Sequence, residues 1–292
     1  MKKNFIFLLL IFLPFSIFSQ AKIKKGKIVY LQAMNTSTNT SQRMITLFWD
    51  NGCSMADMKG IQSDEPKQSP QETREEKEVG REINEQGNEV IKKNIRVPTK
   101  NIRKEDWFKD KFSLFKDFKK KELYSPNFFI TIKGIEAAVN GGDVEVEAQP
   151  LVVKEKLPDF AWQITQEKKK IEGYECFKAI SKPFRGRTYI AWFCPEIPIS
   201  DGPWKLWGLP GLILEAQDEK GEVKFVAQKV ELQTENFKVE NKLLTTGYPV
   251  LTWEEFKNKY KEEHNKRKNY YKSKGITLGD SKMKLELEDL ED

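Results

Sequence analysis

Histidine is nearly missing from this chain of 292 residues: His264 is the one copy, and it sits in a charged stretch near the C-terminus. A Ser-His or Cys-His nucleophile needs a base held beside it, and a zinc site draws on several histidines or cysteines. Neither chemistry is expected, and His264 reads as a solvated helical residue. No Gly-x-Ser-x-Gly, His-Glu-x-x-His or phosphate-binding glycine loop occurs. No catalytic residue, metal site or cofactor is therefore assigned. The 44 acidic residues leave one catalytic class open, a hydrolase working with carboxylates alone.

A strong charge of one sign is lacking too. The net charge of +6 falls to +4 (6 − 2) without Lys2 and Lys3, and the sequence carries no recognisable nucleic-acid module. Long apolar runs are confined to residues 5–18, behind Lys2-Lys3. That is the layout of a secretory signal, and too short for a comfortable membrane span. Cleavage is expected near residue 20, giving a periplasmic or secreted protein with no transmembrane span. None of the three cysteines directly follows the apolar run, so a lipoprotein anchor is not expected.

What is present is β-rich. Residues 26–33 and 43–49 read as the first two antiparallel strands, with Asp50-Asn51-Gly52 turning into a third at 53–58. Residues 62–104 are rich in Glu, Lys, Gln and Asn, and form a charged surface insert, a solvated or partly helical loop or else a binding arm. Aromatic residues return from Trp107, and Asn140-Gly141-Gly142-Asp143 is a turn cluster. Period-two spacing puts Phe160, Trp162 and Ile164 on one buried face. Residues 171–181 and 188–194 make the best hairpin, with its turn around Phe184-Arg185-Gly186-Arg187.

The segment from Gly202 to Asp218 looks specified position by position. Pro210-Gly211 suits a type II turn, with glycine supplying φ > 0, and Leu212-Ile213-Leu214-Glu215-Ala216 follows as a strand. Gly221 turns into another strand at 223–232. Thr252 and Glu255 form a capping box ahead of Trp253, Phe256 and Tyr260, the apolar stripe of a helix stopping near Gly275. Residues 283–292 read as a frayed acidic tail. The expected domains are thus a signal at 1–20, an antiparallel β domain at 21–250, and a helix with its tail at 251–292. The fold class is mainly β, a strongly curved antiparallel sheet or open half-barrel with the helix packed on it.

The residues Tyr174-x-Cys176, Phe184-Arg185-Gly186-Arg187, Ala191-Trp192-Phe193, Pro195-Glu196-Ile197-Pro198-Ile199, Gly202-Pro203-Trp204 and Gly208-Leu209-Pro210-Gly211-Leu212-Ile213 follow in order. Over residues 159–218 the chain resembles the GLPGLI family, exported proteins of Gram-negative bacteria with no established activity. Cys194 departs from that pattern, which implies a threonine or small polar residue there.

Two sets of residues are candidates for a site. Arg185 and Arg187 at the hairpin tip have the forked donors to clamp an anion, or are plain solvent-facing charge. Trp192, Trp204 and Trp207 line an apolar groove, or are core. Glu215 faces solvent or pairs with a nearby arginine. Cys176 and Cys194 face each other if the hairpin positions sum to 370, as a three-residue loop centred on Arg185 requires. A two-residue loop at Arg185-Gly186 gives 371 and puts them on opposite faces, so a disulfide and two buried thiols both stay open. The expected function is non-catalytic binding of a small apolar ligand, peptide or envelope protein in the concavity of the sheet. The alternative is the carboxylate hydrolase.

Overall fold

The computed structural model describes residues 25–36, 40–50, 52–60, 78–83, 89–93, 112–130, 148–233, 237–273, 288 and 290. The expected export signal at 1–20, the turn cluster at 140–143, Trp107, Gly275 and most of 62–104 lie outside that set.

The strands are β1 (Lys25–Asn35), β2 (Thr40–Asp50), β3 (Cys53–Gly60), β4 (Glu78–Ile83), β5 (Glu89–Lys93), β6 (Phe112–Asp117) and β7 (Glu122–Ile130). After them come β8 (Ala148–Lys156), β9 (Gln163–Ile171), β10 (Tyr174–Ile180), β11 (Tyr189–Cys194), β12 (Leu212–Asp218), β13 (Val223–Leu232) and β14 (Val250–Thr252), then helix α1 (Trp253–Ser273). Twelve of them form one open sheet in the order β14-β8-β7-β6-β3-β2-β1-β13-β12-β11-β10-β9, and β4 pairs with β5 apart from it. The described part of the insert is therefore a strand pair, with no helix in it. The main sheet is antiparallel except at one edge, where β14 runs parallel to β8.

Alternation sets the two faces. In β1 every second residue is buried, and Ile28 and Tyr30 stand opposite Leu47 and Ile45 of β2. Carried across the register, the same face holds Ala56, Leu114, Lys116, Leu123, Val153 and Glu155. The opposite face is covered at Met55, Phe115, Tyr124 and Val152 by the segment that carries Leu243.

The sheet curls strongly. Eight strand spacings separate β8 from β11, which would be about 38 Å in a flat sheet. Yet Arg185, on the loop leading into β11, donates to Glu155 of β8 at 2.5 Å. The two ends of the sheet therefore meet, and the face bearing Tyr30, Lys116 and Glu155 is the inside of an incomplete barrel. Its interior is filled by the chain itself, through the excursion of residues 195–211 between β11 and β12. Ile197, Leu206 and Leu209 are buried in the main core. Lys116 donates to Asp201 Oδ1 at 2.5 Å and to the carbonyls of Gly202 and Leu206, with both charged side chains fully buried. Tyr30 Oη donates to Ile213 O at 2.6 Å.

Helix α1 starts as its capping box requires: Thr252 N donates to Glu255 Oε2 at 2.8 Å, and Glu255 N to Thr252 Oγ1 at 3.2 Å. Phe256, with no exposed surface, packs against Phe129, Leu151, Val153 and Leu290. Burying such a ring contributes about 2 kcal/mol, which docks an otherwise polar helix.

Three expectations change, and the hairpin loop left open above is decided. The strand expected from Phe160 begins at Gln163, because Ala161 takes φ +43° and breaks the alternation; Phe160 is buried but Ile164 is exposed on edge strand β9. Pro210-Gly211 is no type II turn: Gly211 N donates to Leu209 O at 2.8 Å, and the positive φ belongs to Gly208. Gly211 is needed for close approach instead, since a Cβ there would lie 2.2 Å from Cys194 O. The hairpin tip is the two-residue turn, with φ > 0 at Arg185 and Gly186 inside the Phe184–Arg187 bridge. One residue slips between tip and strands, so β10 and β11 still pair with the sum 370, Phe177 opposite Phe193. Last, Glu288 and Leu290 of the supposedly frayed tail are buried.

Candidate docking site at the barrel seam

Where the two ends of the sheet meet, five separate pieces of chain bring charges or aromatic rings together. Glu155 comes from the interior face of β8. Arg185 is aimed by the left-handed turn at the hairpin tip, and Lys205 follows Trp204, itself at φ +51° in the excursion. Trp253 is set by the helix cap, and Glu288 by the tail.

Lys205 Nζ donates to Glu155 Oε1 at 2.5 Å and to Glu288 Oε1 and Oε2 at 2.7 and 2.9 Å. Arg185 donates from Nη2 to Glu155 Oε2 and from Nη1 to Glu288 Oε1. Its guanidinium lies 3.4 Å from the centre of the Trp253 ring, and Lys205 Nζ 5.1 Å from it, so both cations also gain from the ring face. Burial pushes the Glu155 carboxyl up, but Lys205 and Arg185 outweigh it and hold the group below the usual carboxylate range. It is thus a fixed anion and not a proton donor at neutral pH. Two cations and two carboxylates balance here. Without Glu288 one positive charge would be left over in a nearly dry site.

The other candidates fall elsewhere. Arg187 is committed to Asp218 and Glu222, bracing the turn between β12 and β13, where Asp218 Oδ1 also accepts Val223 N at 2.8 Å. Neither hairpin arginine is solvent-facing charge, and neither stands open to a free anion. The three tryptophans do not share a groove. Trp204 packs on Tyr189 inside the barrel; Trp192, an odd number of residues along the same strand, faces outward under Lys169, 4.4 Å from its ring. Trp207 is held inside by Nε1 donating to Pro158 O at 2.6 Å. Glu215 pairs with Lys169 on the outer face. Cys176 and Cys194 are free thiols, side by side and buried.

The sequence reading missed Glu155, Lys205, Trp253 and Glu288. One local signal existed for Lys205: it is the single charge within Pro203-Trp204-Lys205-Leu206-Trp207, where an exposed loop would carry several. Among the described residues, no group of three or more His, Cys, Asp and Glu is placed to hold a metal ion. Nor is any helix among them long and apolar enough to cross a membrane.

Compared with known proteins, residues 182–215 match the model of a family described as a protein of unknown function, Porph_ging. The match spans the hairpin tip, β11 and the excursion, and so includes Arg185 and Lys205. No curated protein matches the chain. Among solved structures, PNGF-II in its C2 and P21 crystals is similar at TM-scores of 0.42 and 0.41, with 14% and 13% identity, over 78% of this chain. The chain spans 31% of the PNGF-II chain. An uncharacterized conserved protein from Thermus thermophilus is similar at a TM-score of 0.32 and 7% identity, over 79% of this chain and 91% of that one. The chain is thus similar, over one central segment, to a family of unknown function.

Proposed function

We propose that the protein is an exported, non-catalytic binding protein of the bacterial envelope that takes an acidic segment of a protein partner at the barrel seam. The observation that carries this reading is the seating of its own tail. Glu288 completes the charge balance around Arg185 and Lys205, and Leu290, two residues on, fills an apolar hole beside Phe129, Leu151, Val153 and Phe256. A carboxylate followed two residues later by an aliphatic side chain is the chemistry that this site recognises. The tail is its resident occupant, and a partner segment of the same pattern competes for it. A small apolar ligand fits less well, because residues 195–211 already fill the interior. The apolar run at 5–18 behind Lys2-Lys3 and the GLPGLI resemblance support the export reading, and with it a location in the periplasm or outside the cell.

The test uses the full chain carrying Glu288→Gln and Leu290→Ala, which empties the site without removing the tail. A fluorescent peptide of residues 284–292 should bind this variant saturably and the unaltered protein far more weakly, since a tethered tail competes at millimolar effective concentration. Adding Lys205→Met should abolish binding. Equal binding to both proteins, or none to the variant, would sink the proposal.

A further inference from the structure

Cys194 is the last residue of β11, where the excursion leaves the sheet, and Cys176 lies near the start of β10. The pairs from Phe177 with Phe193 to Ile180 with Ile190 share one register, and one step further sets Cys176 opposite Cys194. The kind of position follows from the hydrogen bonds. Ser181 N donates to Tyr189 O at 2.8 Å, directly across the hairpin, and Tyr189 N donates back to the Ser181 hydroxyl at 2.8 Å. That is a hydrogen-bonded position. Five steps along, an odd number, the cysteines occupy a non-hydrogen-bonded one, where opposite Cα atoms approach to about 4.5 Å and side chains come closest. A disulfide accepts Cα separations from about 4.4 Å upward.

We propose that Cys176 and Cys194 are a built disulfide site, a cross-strand link that ties the mouth of the hairpin to the root of the excursion. Neither cysteine has exposed surface, and the Cys176 thiol donates to Tyr174 O at 3.7 Å. The neighbouring Cys176 thiol, with the Ile197 and Glu196 backbone amides, brings Cys194 down to about 7 against its burial, and Cys194 together with burial pushes Cys176 up. Cys194 is thus the attacking thiolate. It displaces one thiolate from a co-reactant disulfide, a small-molecule disulfide or that of an oxidoreductase, and forms a mixed disulfide. Cys176 then gives up its proton, attacks the Cys194 sulfur and expels the second thiol. Two protein thiols are oxidised and one co-reactant disulfide is reduced. Since both sulfurs are covered, exchange takes place while edge strand β9 is undocked, during folding. Cys53, half-buried on β3, is left out. This site stands independently of the peptide-binding proposal.

The full chain, reduced and unfolded in urea, is refolded in an oxidising glutathione buffer, acid-quenched, alkylated without reduction and mapped by mass spectrometry. The expected product is one linked peptide pair, Cys176 with Cys194, and Cys53 alkylated or carrying glutathione. Oxidation should raise the thermal midpoint by about 5–10 °C, reversed by reductant. The same buffer with urea retained should scatter links over all three cysteines, which shows that native geometry selects the pair. Recovering Cys176 and Cys194 as separately alkylated or singly glutathionylated residues after refolding would overturn the assignment, as would linkage of either to Cys53.

Discussion

Replacing Lys116 by methionine should destabilise the fold by about 3–5 kcal/mol, the usual cost of breaking a buried ion pair by removing one partner. Lys116 and Asp201 are both fully buried, and Lys116 also supplies hydrogen atoms to the Gly202 and Leu206 carbonyls. The substitution thus strands a carboxylate and two acceptors inside the barrel. Burial pulls the Lys116 ammonium down from its ordinary range while Asp201 opposes it, so the pair holds its charge only as a pair. Adding Asp201→Asn to Lys116→Met should recover part of the loss, because the stranded charge is gone, but not all, because the two carbonyls still lack a donor. Guanidinium unfolding of the two variants measures both steps. A single variant within about 1 kcal/mol of the unaltered protein would mean that water reaches this site.

Gly211→Ala should cost at least about 3 kcal/mol, beyond ordinary overpacking. The new Cβ would meet Cys194 O at 2.2 Å and its carbonyl carbon at 2.6 Å, and backbone cannot rotate aside as a side chain can. The strain would pry the end of the excursion from the end of β11. Gly221→Ala is the comparison: that glycine has φ +70° but nothing within 4 Å of a Cβ, so its cost is conformational alone, about 1 kcal/mol. Thermal unfolding of both separates them, and equal midpoints would show that the chain relaxes around position 211.

The contrast between these glycines shows what the sequence could disclose. Strands β1, β2, β10, β11, β12 and β13 and the helix cap were legible because their signals are local: period-two burial, turn residues, and Thr252 three residues before Glu255. The hairpin register stayed open in the sequence because the two-residue tip and the strand sum of 370 do not go together there; the one-residue slip between tip and strands reconciles them. Curl was legible only as a class. The contacts that define it join Glu155 to Arg185, 30 residues on, and Arg185 to Glu288, 103 residues on, distances at which no pattern in the chain marks a partner. Lys116 was invisible for a related reason: a lysine in a strand reads as solvent-facing until the excursion is laid against it. The acidic tail misled by composition, since the two residues that dock carry no more local signal than their neighbours.

The most direct test is a double-mutant cycle on the full chain, with Lys205→Met, Glu288→Gln and both together, each followed by guanidinium unfolding. Lys205 also pairs with Glu155, so its single substitution alone cannot report on the tail; the cycle isolates the contact between Lys205 and Glu288. A tail carboxylate seated on the seam predicts a coupling of about 2 kcal/mol, in the range measured for residues in one charged network. Additivity within about 0.5 kcal/mol would contradict it, because Glu288 would then lie away from the cations and the seam would hold no acidic segment.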